Sequence, residues 1–184
     1  MAWSSTQDIG ARTYVCGHCD HRVASRTGWH NPDFGTSQIY LCPHCAKPSY
    51  FADGRQLPGI RAGAAVGSLP PDILAIYDEA RSSAASSCYT GSVLVSRKLL
   101  MHIAVAQGAE ANLRFIEYVD YLAAKGFVPP NGRSWVDHIR LKGNEATHEI
   151  VRMTEADATD LLTFLEMLLK FIYEFPSRVP SGTH

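Results

Sequence analysis

Four of the five cysteines form two closely spaced pairs in the first quarter of the chain. The pairs are Cys16-Gly-His-Cys19 and Cys42-Pro-His-Cys45, with 22 residues between them. Each pair can present two thiolates to one metal ion through a tight turn, so the two pairs can complete a tetrahedral site. Because four thiolates leave no open coordination position, the spacing predicts a structural Zn²⁺ ion rather than a catalytic one. The predicted metal ligands are Cys16, Cys19, Cys42 and Cys45.

The first pair reads CGHC, which is also the active sequence of disulfide isomerases. That chemistry uses a single CxxC at the start of a helix that follows a strand. Here a second CxxC follows, and Asp20-His21-Arg22 begins no apolar helical pattern. The sequence therefore favours metal binding over redox catalysis. The fifth cysteine, Cys88, stands among small residues and is interpreted as a packed free thiol.

A second group of polar residues lies far along the chain at intervals of four. Arg140, Asn144 and His148 share one side of a continuous helix, because each step of four residues advances about 40° beyond a full turn. A cation, an amide and an imidazole on one face can bind phosphate and transfer a proton. The alternative is a buried polar cluster that ties this helix to its neighbours, and Gly143 weakens the continuity of the helix.

Arg97 is a charged residue within an apolar helical pattern. Its neighbours three and four positions away are Val93, Leu94, Leu100 and Met101. A cation in such a stripe must find a partner or extend its charged end to water. The sequence predicts structural pairing with a carboxylate such as Asp78, Glu79 or Glu117.

The patterns around these residues divide the chain into parts. Short strands are predicted at residues 12–15, 22–25, 37–41 and 48–51, beside the cysteine pairs. Residues 53–68 are rich in glycine and small residues without a period, which indicates a linker. Later the apolar period is helical, and helix starts are predicted near Pro71, Thr90, Asn112, Ser134 and Thr154. The predicted organisation is a zinc ribbon at 1–52, a linker at 53–68 and a helical domain at 69–184.

Composition limits the possible function classes. The chain has 184 residues, of which 46% are hydrophobic and 19% charged, a balance typical of a soluble globular protein. Seventeen basic residues oppose 18 acidic ones, for a net charge of −1, which disfavours tight nonspecific binding to DNA. The N-terminus lacks the apolar core of a signal peptide, and no apolar run approaches the roughly 18 residues of a membrane span. We therefore expect a cytoplasmic protein with no membrane partner.

The order of these motifs resembles the bacterial domain-of-unknown-function 4145 family. The resemblance covers residues 12–176, and it is carried by the CxxC pairs, LPPDILAIYDEA, SRKLL, WVDHIRLKGNEATHE and a leucine-rich helix ending in YEFP. That family is similar to the HEPN superfamily, whose members often dimerise and include RNases of toxin and phage-defence systems. The implied fold class is mainly α, a HEPN-like four- to five-helix bundle preceded by a small β zinc ribbon.

HEPN RNases carry an arginine, a polar residue, three variable residues and a histidine. Asn144 and His148 match the polar residue and the histidine, whereas Gly143 stands at the arginine position, with Arg140 and Lys142 before it. The departure favours a noncatalytic binding or adaptor module, in bacterial phage defence or nucleic-acid processing. The expected partners are a second copy of the chain and an RNA or a protein of a nuclease system. The alternative is a metal-independent RNase in which His148 accepts the ribose 2′-OH proton while Arg140 or Lys142 and Asn144 hold the phosphate.

Overall fold

The computed structural model of the chain describes residues 3–33, 37–128, 135, 137, 139 and 152–179. The chain divides into two compact units. The first comprises Met1–Arg61 with Ala85–Ser87 and is called the sheet unit below. The second comprises Ala62–Ala84 with Cys88–His184 and is called the helical unit. Each unit has its own cluster of buried apolar side chains.

The sheet unit is an antiparallel sheet of five strands in chain order. The strands are β1 (Gln7–Val15), β2 (Arg22–His30), β3 (Gln38–Leu41), β4 (Pro48–Ala52) and β5 (Arg55–Leu57). The rings of Tyr14, Tyr40 and Phe51 pack together on one face, with centroids 5.1 to 6.3 Å apart. The buried cysteines Cys16 and Cys42 belong to the same cluster, so the candidate metal ligands are part of this small core.

This sheet shows that the predicted fold class, mainly α, is wrong: the chain combines a five-stranded sheet with helices. β1 and β2 have nine residues each, and β1 passes a register shift between Asp8 and Arg12, where Gly10 has a φ of +86°. β5 lies inside the predicted linker, because Asp53 and Gly54 form a tight hairpin turn with φ values of +50° and +74°. An Asp-Gly pair favours this turn, since both of its residues tolerate positive φ.

Within the described residues, the helical unit contains four helices of at least ten residues. They are α1 (Pro71–Ala85), α2 (Tyr89–Ala106), α3 (Phe115–Ala124) and α4 (Glu155–Leu169). A π-helical turn at Lys170–Glu174 continues α4 into the short helix α5 (Phe175–Arg178). α2 packs against both α3 and α4, so it lies at the centre of the shared apolar core. Among the described helices, none is long and apolar enough to cross a membrane.

Polar residues at the helix starts partly follow the prediction. The capping box before α4 is confirmed, because the Thr154 hydroxyl accepts the Asp157 N–H at 3.2 Å and the Asp157 carboxylate accepts the Thr154 N–H at 2.8 Å. The predicted caps at Thr90 and Asn112 are wrong: α2 already includes Thr90, and α3 begins three residues after Asn112. The Thr90 hydroxyl instead accepts the N–H of Met153 at 3.1 Å. The Thr90 hydroxyl therefore binds a residue that is distant in the sequence instead of capping α2.

Candidate functional site

The four predicted metal ligands lie together in the sheet unit. Their sulfur atoms are all within 4.8 Å of one another. The Sγ atoms of Cys16 and Cys45 are 3.8 Å apart, and so are those of Cys19 and Cys42. Sulfurs placed about 2.3 Å from a tetrahedral Zn²⁺ ion are about 3.8 Å from one another, whereas a disulfide bond is only about 2.05 Å long. The four free thiols can therefore hold one metal ion.

Two turns of the same backbone geometry carry these cysteines. β1 ends directly before Cys16, and β3 ends directly before Cys42. In the first turn the Asp20 N–H donates to the Cys16 carbonyl at 2.9 Å, and in the second the Ala46 N–H donates to the Cys42 carbonyl at 2.8 Å. Asp20 and Ala46 have φ values of +61° and +58°, a conformation that reverses the chain after each second cysteine. The two CxxC units thus form two turns with the same hydrogen bond and the same backbone conformation.

Gly17 occupies a crowded position in the first turn. A Cβ atom at this residue would lie 2.2 Å from the carbonyl oxygen of Gly59 and 2.6 Å from that of Pro58. Because both neighbours are backbone atoms, no larger residue fits without moving the main chain. The equivalent position in the second turn holds Pro43, so the two turns reach the same shape with different residues.

The surroundings of the thiols set their pKa values. Burial raises the pKa of Cys16 and raises that of Cys19 to about 12. Burial also acts on Cys42, but the backbone N–H groups of Cys45 and His44 donate to its sulfur and lower its pKa to about 7. Since four adjacent thiolates repel one another, a divalent cation is the group that allows all of them to lose their protons.

Histidines from both turns surround the cysteines. The rings of His21 and His44 stack with centroids 3.5 Å apart and planes at 18°. His21 Nδ1 donates to the Cys19 carbonyl at 2.8 Å, and His18 Nε2 donates to the Pro48 carbonyl at 3.0 Å. The second bond joins the first turn to β4. Ring nitrogens of His21 and His44 also lie within 4.8 Å of the Cys19 sulfur. Because His21 donates to a main-chain carbonyl of the first turn and stacks on His44 of the second, we interpret both histidines as support for the turns.

The second group of predicted site residues cannot be placed in the same way. Arg140, Asn144 and His148 lie outside the described residues, as does Gly143. Of the predicted helix that carries them, Trp135, Asp137 and Ile139 are described and helical. The Trp135 ring packs edge-on against Phe164, with centroids 5.4 Å apart, and Ile139 is buried. The start of this helix therefore belongs to the core of the helical unit.

The predicted carboxylate partner of Arg97 is wrong for the part of the chain that the structure describes. The guanidinium carbon lies 4.2 Å from the ring centroid of Phe115, and Nη1 is buried without a hydrogen-bond partner. The residue is only 8% exposed, and burial lowers the pKa of the guanidinium. An arginine nevertheless keeps its charge at neutral pH. Arg97 is thus a buried cation whose neighbour is an aromatic face.

Sequence reasoning missed the residues that hold the backbone of residues 62–64. Arg81 is 1% exposed and donates to the carbonyls of Ala62 and Gly63 at 3.1 and 2.6 Å. The Tyr77 hydroxyl donates to the Ala64 carbonyl at 3.0 Å. Tyr77 and Arg81 are four residues apart on the buried side of α1. The sequence feature that could have identified Arg81 was a charged residue at a position where the helical pattern has apolar ones.

Two carboxylates accept hydrogen bonds from main-chain N–H groups in the same region of the chain. Glu166 accepts the N–H of Ala64 at 2.8 Å, and Glu174 accepts the N–H of Gly67 at 3.0 Å. Desolvation opposes the charge of Glu166. The ion pair with Lys170 and the hydrogen bond from the Ala64 N–H outweigh it, and they keep the pKa of the Glu166 carboxyl below its ordinary value. These contacts make residues 62–67 an ordered part of the helical unit.

Comparisons with known proteins identify a family for the helical part of the chain. The model of the family described as Domain of unknown function (DUF4145) matches residues 78–182. No curated protein and no solved structure matches the chain. The matched range covers more than half of the chain and leaves out the four clustered cysteines.

Proposed function

The chain belongs to the DUF4145 family, and on that premise we propose that it is a noncatalytic binding and adaptor module. In this proposal the sheet unit is a zinc ribbon that one structural Zn²⁺ ion holds together. The observation that carries the proposal is the set of four thiols at tetrahedral spacing. A metal ion with four protein ligands has no position left for a water molecule or a substrate.

The chemistry of the donors favours zinc as the metal. Four thiolates in a tetrahedron suit Zn²⁺ or iron. Zinc binding adds folding energy without redox chemistry, and the aromatic cluster of Tyr14, Tyr40 and Phe51 is a small core for five strands. Iron bound by the same thiolates would colour the protein, so elemental analysis with a visible spectrum separates the two metals.

For the helical unit, the proposal is a HEPN-like arrangement that pairs with a second copy of the chain. The motif resemblance supports both points. Phe171 and Phe175 add a structural reason for pairing, since both are exposed and their rings contact each other with centroids 5.3 Å apart. Exposed aromatic pairs suit protein interfaces. The setting, phage defence or nucleic-acid processing in bacteria, is proposed from the resemblance alone.

The second candidate function is a metal-independent RNase. The observation that favours it is the four-residue spacing of Arg140, Asn144 and His148 in the sequence. An RNA-cleavage assay of the purified chain, with the His148→Ala variant beside it, decides between the two functions. We expect weak cleavage or none, because Gly143 replaces the arginine that would stabilise charge on the scissile phosphate. Cleavage that His148→Ala abolishes would establish the RNase in place of the adaptor.

A further inference from the structure

Two hydroxyl groups in the core of the sheet unit have no hydrogen-bond partner among the described residues. They belong to Tyr14 in β1 and Ser49 in β4, and both residues are buried. A buried hydroxyl without a partner is unfavourable, and most such groups in folded proteins are paired. The two hydroxyls therefore indicate an acceptor in this core that the main chain does not supply.

Both side chains lie on the side of the sheet that carries the thiols. Tyr14 belongs to the cluster of buried residues that includes Cys16 and Cys42. Because side chains alternate along a strand, Ser49 lies on the same side of β4 as Phe51. The Phe51 ring in turn packs on the Tyr14 ring, with centroids 5.1 Å apart. The two hydroxyls and the thiols therefore occupy one small core.

The electrostatic surroundings of Tyr14 agree with this placement. Burial is the main cause that raises the pKa of its hydroxyl, and the nearby Cys42 and Cys16 thiols raise it further. The Ser49 hydroxyl lowers the same pKa, as a donor close to the Tyr14 oxygen does. If Ser49 donates to Tyr14, the hydrogen of the Tyr14 hydroxyl is still unused, because each hydroxyl carries one. That hydrogen needs an acceptor.

Thiolates that bind a metal ion are the acceptors that this core offers. Four thiolates around one divalent cation carry more negative than positive charge, and part of this excess is buried with Cys16 and Cys42. Main-chain N–H groups of the two turns already donate to these two sulfurs. A hydrogen bond to an ionised acceptor is stronger than one between neutral groups. The Tyr14 hydroxyl therefore gains most when the thiols have lost their protons.

We infer that Tyr14 and Ser49 are positioning residues of the metal site, joined in a chain of two hydroxyls that ends on a cysteine sulfur. In the metal-bound protein the Ser49 hydroxyl donates to the Tyr14 oxygen, and the Tyr14 hydroxyl donates to a thiolate. Partners of this kind orient the ligands and tune the metal that they hold. The inference rests on the proposed zinc ribbon and adds to it two residues that lie outside the CxxC units.

The experiment uses the full chain and compares Tyr14→Phe with Tyr40→Phe. The second variant is the matched control, because it removes a hydroxyl from the same aromatic cluster, but one that donates to the Ile9 carbonyl at 3.5 Å. At saturating Co²⁺, Tyr14→Phe should move the thiolate-to-metal charge-transfer band to longer wavelength, since a thiolate without this hydrogen bond gives up its electrons more easily. In competition with a chelator, it should weaken Zn²⁺ binding by about 10- to 100-fold. Tyr40→Phe should change neither the band nor the affinity.

Ser49→Ala tests the order of the two hydroxyls. We expect a smaller loss of Zn²⁺ affinity than for Tyr14→Phe, and no added loss when the two changes are combined, because Ser49 acts through Tyr14. If Tyr14→Phe binds no Co²⁺, the same shift of the charge-transfer band is measured in Ser49→Ala.

A hydroxyl that stays unpaired in the metal-bound protein gives the opposite result. Its removal relieves the cost of burying it and leaves the Zn²⁺ affinity unchanged or higher. That result, or equal effects of Tyr14→Phe and Tyr40→Phe on the charge-transfer band, overturns the inference and leaves the zinc ribbon standing. A native chain that binds neither Zn²⁺ nor Co²⁺ refutes the zinc ribbon and the inference together, so the two failures are distinct.

Discussion

Removal of the metal should unfold the sheet unit and leave the helical unit folded. Apart from cysteine, the buried hydrophobic residues described in the five strands are Tyr14, Tyr40, Leu41 and Phe51. At roughly 1.5–3 kcal/mol each, their burial contributes about 10 kcal/mol. A structural zinc ion contributes about 10–16 kcal/mol, as much as this whole core. Because chain entropy of roughly 1–2 kcal/mol per residue opposes folding, the core cannot keep five strands together alone.

The helical unit has a much larger apolar core than the sheet unit. Among its described residues, the core contains 24 buried hydrophobic ones, none of them a cysteine. We therefore expect a strong chelator to release one zinc per chain and to change the fluorescence of Trp3 and Trp29, whose rings contact each other at 5.7 Å in the sheet unit. The helical circular dichroism signal should remain nearly constant. A Trp135→Phe background removes the emission of the tryptophan in the helical unit.

Single cysteine variants make the same test without a chelator. Cys42→Ser should lose the metal and reproduce the effect of chelation, since three thiolates no longer close the site. Cys88→Ser is the matched control and should keep one zinc, because Cys88 lies outside the cluster. The interpretation of Cys88 as a packed thiol is wrong, since the residue is exposed. Purified protein without stoichiometric metal, or loss of both optical signals in one transition, would refute the reasoning.

Three further predictions concern the helical unit. Arg81→Met should lower its free energy of unfolding by about 3–6 kcal/mol, because two carbonyls lose charged donors; a loss below about 1 kcal/mol in denaturant titrations contradicts this role. The pKa of Glu166 is lowered from its ordinary 4.5 in the folded chain, so its stabilisation is present above that pH and is lost as pH falls through the folded value. Melting temperatures of Glu166→Gln should therefore fall less in acid than those of the native chain, and equal slopes would exclude the contribution. Phe171→Glu should convert a dimer to a monomer in light scattering, and a monomeric native chain would rule out the proposed pairing.

The cluster of cysteines could be predicted from the sequence because their geometry is local. Each CxxC unit closes a turn through bonds within five residues, and adjacent strands bring the two turns together. The extent of the sheet could not be predicted in the same way. β1 contains a register shift that interrupts its alternating pattern, and β5 has three residues, too few for a period. Only the Asp53-Gly54 turn indicated that the sheet continued.

The environment of Arg97 shows a second limit. Its position in an apolar stripe indicated a cation that must find a partner or extend to water, but helical spacing carries no information about which distant group it meets. The Phe115 ring came from α3, whose start was predicted three residues too early. A charge–aromatic contact needs the exact register of two helices, and a pattern of apolar residues gives that register only approximately.

Two motifs that carry the family resemblance act on the backbone of the helical unit. Tyr77, in YDEA, and Arg81, directly after it, donate to carbonyls of residues 62–64, and Glu174, in YEFP, accepts the N–H of Gly67. Because buried main-chain groups need hydrogen-bond partners, these side chains have a structural role in this segment. The described contacts of these motif residues therefore stabilise the main chain of the helical unit. Arg97 differs from these residues, because its Nη1 is buried without a hydrogen-bond partner and its guanidinium packs on the Phe115 ring.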